Sequence, residues 1–197
     1  MSMTTWVVLG VLVVGGLWAV MVYNRLVELR NRIANAFGQI DVQLKRRYDL
    51  IPNLVEVARG YMQHEAATLE AVIKARGQAQ GAAATARAAP TNAGAVGALA
   101  LAEGVLGGSL GRLMVVAEAY PELKADATMQ SLSEELASTE NRVGFARQAF
   151  NDQVLDFNNE AQQFPALIVA RLAGFAPAAM LESTRSEEER SAPQVKF

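Results

Sequence analysis

The chain has 197 residues, a formal net charge of −2, no cysteine and one histidine. Disulfide frameworks and thiolate metal sites are therefore excluded, and any histidine chemistry depends on His64 alone. The charge balance argues against a nucleic-acid binder, which carries a basic excess.

Residues 1–5 form a short N-terminal tail, and residues 6–23 then contain no charge, no proline and no strongly polar group. As a helix they span about 27 Å, close to the ~30 Å hydrocarbon core of a bilayer. Trp6 at one end and Trp18 and Tyr23 toward the other suit the two headgroup zones, with Leu9, Leu12 and Leu17 between them. This stretch is predicted to be a transmembrane helix. The first five residues hold no Lys or Arg and no small-x-small cleavage site follows, so a retained anchor is expected rather than a signal peptide. Arg25, Arg30, Arg32, Lys45, Arg46 and Arg47 follow the span and none precedes it. The positive-inside rule then puts the N-terminus outside and the C-terminal domain in the cytoplasm.

From residue 24 the pattern is amphipathic and helical. Leu26, Leu29, Ile33, Phe37, Ile40 and Leu44 recur at three- and four-residue steps, and nothing breaks the helix between the anchor and Arg47. The membrane span and the first bundle helix are expected to be one element. Asp49 is a good N-cap and Pro52 suits a first helical turn, which predicts a reversal here. Arg46, Arg47, Asp49, Pro52 and Asn53 are expected to form a polar knot fixing that hairpin. The second helix would carry Leu54, Val57, Tyr61, Leu69, Val72 and Ile73, with His64 partly buried in the row of Val57 and Ala71.

Pro90, Asn92 and Gly94 mark a loop, and residues 95–119 read as a third helix, rich in glycine and ended by Tyr120-Pro121. Glu103 and Arg112 interrupt any membrane span there, so glycines such as Gly97, Gly104, Gly108 and Gly111 are expected to allow close packing in a bundle. Residues 126–163 read as the longest helix after the anchor. Met129, Leu136, Val143, Phe150, Phe157 and Phe164 stand seven apart, the repeat of a left-handed helix–helix seam. The companions Leu132, Thr139 and Ala146 fit, whereas Gln153 and Glu160 do not, so a bundle contact is predicted rather than a free coiled coil. Pro165 resets the chain, residues 166–172 can form a short helix, and residues 176–197 are expected to be a polar, extended tail. The fold class is all-α: a transmembrane helix continuing into an elongated antiparallel bundle, residues 24–175, of about four long helices.

No arrangement of residues points to catalysis, a cofactor or a metal. His64-Glu65 would need a second histidine one turn on, and position 68 is Thr68. There is no phosphate-binding glycine loop and no Ser/His/Asp set. Asn151-Asp152 and Asn158-Asn159-Glu160 on the last long helix serve either an assembly surface or a solvated face with some interhelix hydrogen bonds.

The segments Arg46-Arg47-Tyr48-Asp49-Leu50-Ile51-Pro52-Asn53-Leu54-Val55, Tyr61-x-x-His64-Glu65, Glu118-Ala-Tyr120-Pro121-x-Leu123-Lys124, Thr139-Glu140-Asn141-Arg142 and Phe150-Asn151-x-x-Val154-x-x-Phe157-Asn158, with the closing Ala192-Pro193-x-Val195-x-Phe197, resemble the LemA family. They run in order over nearly the whole chain. The resemblance implies a bacterial membrane protein with an N-terminal anchor and a helical bundle, without catalytic residues to carry over, some relatives being linked to membrane remodelling. The Ala/Gly-rich residues 77–108 depart from the family's more polar pattern.

Sequence and resemblance together predict a non-enzymatic, single-pass scaffold of the bacterial inner membrane that contacts lipid, self-associates and organises protein partners. A regulatory adaptor for a membrane protease or sensor is the alternative, with the acidic Glu187-Glu188-Glu189 tail as its docking element. The sequence identifies no small-molecule substrate.

Overall fold

The computed structural model describes residues 2–182. Six helices follow one another: α1 (Met3–Tyr61), α2 (Ala66–Ala88), α3 (Ala93–Ala117), α4 (Pro121–Ala125), α5 (Ala127–Gln162) and α6 (Ala166–Leu172). Among the described residues there is no strand. The fold is an all-α antiparallel bundle built on a long N-terminal apolar helix.

α1 is the axis. Its 59 residues reach about 88 Å, and its buried positions run without a phase break from Val22 through Leu26, Ile33, Phe37, Leu44, Ile51 and Leu54 to Ala58. The reversal expected near Asp49 and Pro52 is absent, because the helix passes straight through both residues. The turn lies instead at residues 62–65, with Met62 wholly buried.

Two observations explain why Pro52 does not end the helix. The apolar stripe keeps its three- and four-residue steps on both sides of it, so burial rewards continuation. The proline also lacks the N–H that would bond the carbonyl of Tyr48 four residues earlier, and Arg76 of α2 donates from Nε to that carbonyl at 2.6 Å. A side chain from the neighbouring helix replaces the missing backbone donor.

This replacement is testable. Arg76→Ala strands the buried Tyr48 carbonyl and is expected to destabilise the bundle by about 1–3 kcal/mol. In a Pro52→Ala background the backbone N–H returns, so the same change should cost much less. Denaturant titrations of the four proteins give the coupling, and an equal cost in both backgrounds would refute the account.

α5 lies antiparallel along α1, and α2 packs against both α1 and α3. Asp126 caps α5 by accepting from the Met129 N–H at 2.9 Å and also receives the Tyr61 hydroxyl at 3.0 Å. These hydrogen bonds hold its carboxyl below the usual carboxylate range. Asn92 caps α3 in the same manner through the Ala95 N–H.

The heptad row of α5 faces the core at Met129, Leu136, Val143, Phe150 and Phe157. Phe150 meets Phe37 edge-on, with ring centroids 5.7 Å apart. Thr139 is buried and donates to the Leu136 carbonyl, which satisfies its hydroxyl locally. Past Phe150 the companion positions shift by one residue, to Val154 and Ala161, which is why Gln153 and Glu160 break the pattern. Phe164 departs from the row: it lies beyond the end of α5 and is 80% exposed. The expected close-packing role also fails at Gly97 and Gly111, where an added Cβ would meet nothing within 4 Å.

After α6 the chain returns along α5 as an extended strap. Asn158 exchanges two hydrogen bonds with the backbone of Ala178, both at 2.9 Å, and Asn151 exchanges two with Leu181. The spacing is physical: seven helical residues rise about 10.5 Å, the reach of three extended residues. The extended course expected from residue 176 onward is seen as far as residue 182, with Ala178 and Leu181 buried; residues 183–197 lie outside the described residues.

Candidate functional site

The anchor residues Trp6, Leu9, Leu12, Leu17 and Tyr23 sit on the first third of α1 with their side chains exposed, and Trp18 is half-buried. This part of α1 is long and apolar enough to cross a membrane, and no residue of its most apolar stretch is buried inside the protein. An apolar surface this large and continuous needs a nonaqueous environment.

The residues expected to form a hairpin knot are instead spread around a straight helix. Arg46 is exposed and pairs with Glu135 of α5 at 2.6 Å. Asp49 and Asn53 face solvent, and Pro52 is internal to α1. His64 is exposed in the turn between α1 and α2 rather than half-buried on a helix.

Arg47 alone is buried, and it leads to a cluster that the motifs do not reveal. Its guanidinium lies 3.1 Å from the Glu103 carboxylate of α3 and 3.8 Å from Glu140 of α5. The Tyr48 hydroxyl donates to the other Glu103 oxygen at 2.5 Å. Burial pushes the Glu103 carboxyl above its ordinary value, against the opposing pull of the Tyr48 hydrogen bond and of Arg47. Burial and the facing carboxylate also push the Tyr48 phenol up, so it remains a donor at any physiological pH. One signal in the sequence could have exposed this cluster. Glu103 interrupts the row Leu99, Leu106 and Leu110, a charge placed on an otherwise apolar helix face.

Above the cluster, a groove of about 730 Å³ separates α3 from α5. Its floor is Ile40, Leu44 and Arg47 of α1; Gly97, Glu103 and Gly104 line one side and Glu140, Val143, Gly144 and Arg147 the other. Residues Ala179 to Glu182 of the strap line it as well. The arrangement is apolar with paired charges and suits an extended or amphipathic segment better than a small polar substrate. Among the described residues, no group of three His, Cys, Asp or Glu side chains is placed to hold a metal ion.

The sequence matches the LemA family over residues 36–197. The chain belongs to the LemA family. It is also 33% identical over 82 residues to the magnetosome protein MamQ of Magnetospirillum gryphiswaldense, covering 42% of this chain and 30% of that protein. Magnetosome protein MamQ 2 of Paramagnetospirillum magneticum is 33% identical over 78 residues, 40% of this chain and 29% of its own length. The chain thus spans less than a third of these relatives. Family membership and the exposed apolar third of α1 describe a membrane-associated helical protein.

Proposed function

We propose that this LemA-family chain is a non-enzymatic, single-pass scaffold that self-associates and organises partners at a bacterial inner membrane. The observation that carries this reading is the continuity of α1. The apolar segment that would cross the bilayer and the axis of the bundle are one helix, so the bundle is held at a fixed height and direction above the lipid. A flexible tether would leave it free to tumble. The cations Arg25, Arg30 and Arg32 just after the apolar stretch favour a cytoplasmic bundle. The similarity to magnetosome proteins supports association with a membrane, and the proposal extends to a part in membrane remodelling.

Full-length protein reconstituted in liposomes and imaged by electron cryomicroscopy is expected to form ordered assemblies of several copies. Protein that stays monomeric in bilayers, and by light scattering in detergent at every concentration, would remove self-association from the proposal. External protease on spheroplasts should leave the bundle intact, and its digestion would reverse the orientation.

A further inference from the structure

The short helix α6 carries an apolar side that the bundle does not use. Ala166 and Ala170 are buried and Val169 packs partly against the core. Ile168 and Leu172, four residues apart on α6, are 50% and 85% exposed, and Phe164 in the turn just before the helix is 80% exposed. From residue 162 to residue 181 the chain has no carboxylate and a single cation, Arg171.

The height of this side along α1 decides what faces it. Phe175, three residues past α6, packs edge-on against Tyr23 with centroids 5.7 Å apart, and Arg30 lies over the same ring. The antiparallel Phe37–Phe150 contact places the end of α5 about level with residue 25 of α1. α6 follows that end and packs on α1, and at this level of α1 Trp18 is half-buried and Val22 is buried. Trp18, Val22 and Tyr23 close the apolar segment that runs back to Trp6, so α6 sits at the bilayer surface if that segment spans the membrane.

We propose that α6 and the turn before it form a second, interfacial membrane contact, with the exposed Phe164, Ile168 and Leu172 side chains immersed at the headgroup–acyl boundary beside the α1 span. The inference rests on the reading of α1 as the anchor. Lipid is the occupant because the patch continues the exposed apolar surface of α1 at the height of its closing aromatic residues. Arg171 adds a cation for anionic headgroups. The consequence is a bundle seated against the bilayer at two points, which fixes its rotation as well as its height.

The absence of cysteine allows a direct test. Single variants Phe164→Cys, Ile168→Cys and Leu172→Cys, each labelled with an environment-sensitive nitrobenzoxadiazole dye, are placed in vesicles of phosphatidylcholine and phosphatidylglycerol carrying spin-labelled quencher lipids. Leu12→Cys reports the α1 span, and Phe145→Cys, an exposed site midway along α5, reports the solvated bundle. Because an interfacial helix lies only about 5–10 Å deep, the α6 labels should lose about half their emission to a shallow quencher, and the Phe145 label almost none. The Leu12 label should respond to a deep quencher. If the α6 labels match Phe145 while Leu12 is quenched, the second contact is refuted and the anchor stands. Blue-shifted α6 labels that no lipid quenches would mean a protein surface covers them, which also refutes it. An unquenched Leu12 label would overturn the anchor, and the α6 contact with it.

Discussion

Phe150→Ala is expected to destabilise the bundle by about 3–5 kcal/mol, the cost of removing a fully buried ring and leaving its cavity. Phe150 has no exposed surface and closes the α1–α5 contact against Phe37, at an interplanar angle of 75°. That contact joins the axis of the bundle to its longest partner helix, so neighbouring side chains can collapse into the gap only by disturbing two rows at once. Phe164→Ala is the matched control: same residue type, same heptad row in the sequence, but mostly exposed beyond the end of α5. It should change stability by less than about 0.5 kcal/mol in detergent. Urea titration of the full-length proteins, followed by circular dichroism at one detergent concentration, separates the two. Equal losses would mean that the heptad row continues through Phe164.

The Phe164 contrast shows what periodicity can and cannot carry. A seven-residue repeat identifies the α5 seam from Leu136 to Phe157 because the same face of one helix is buried throughout. It overruns at Phe164 because a repeat carries no information about where the helix stops, and Pro165 follows immediately. The converse holds at Pro52. Local chemistry there favours a helix start, with Asp49 as cap and proline in the first turn, yet the apolar stripe runs on in phase. Tertiary burial prevails, supported by a hydrogen bond from Arg76, twenty-four residues away in sequence. Such a donor is invisible to any local window, since Arg76 lies in an Ala/Gly/Gln-rich stretch whose composition suits a solvated face.

The candidate site follows the same division. The exposed apolar third of α1 is legible because it depends on composition alone. Local chemistry marks Arg47 as part of a hairpin knot, in which it has no role, and its partner Glu103 on α3 only as an obstacle to a membrane span. The two meet because α3 runs parallel to α1 after two reversals, a relation fixed by the position of the first turn. A first turn placed about fifteen residues too early hides the cluster, and with it the exposure of His64. Asn151 and Asn158 fare better: one of their two readings is hydrogen bonding, and what they bond is the strap rather than another helix.

Glu103→Ala is expected to cost about 3 kcal/mol, since it leaves the Tyr48 hydroxyl and one Arg47 nitrogen without an acceptor in a buried place. Glu103→Gln should behave quite differently. Its amide oxygen still accepts from Tyr48, and Glu140, 3.8 Å from Arg47, remains as a counter-charge. Burial raises the Glu103 carboxyl above 4.5, so the folded protein holds this proton more tightly than the unfolded chain does. The stability that Glu103 contributes is therefore fully present below about pH 4.5 and declines as pH rises through the raised folded value. A glutamine amide does not titrate, so the Glu103→Gln variant should match the wild type at pH 4.5 and equal or exceed it at pH 7.5. Denaturation midpoints of the three proteins at both pH values test this. A Gln variant as weak as the Ala variant at pH 7.5 would show that the Arg47–Glu103 charge pair, not the hydrogen bond to Tyr48, holds α3 to α1.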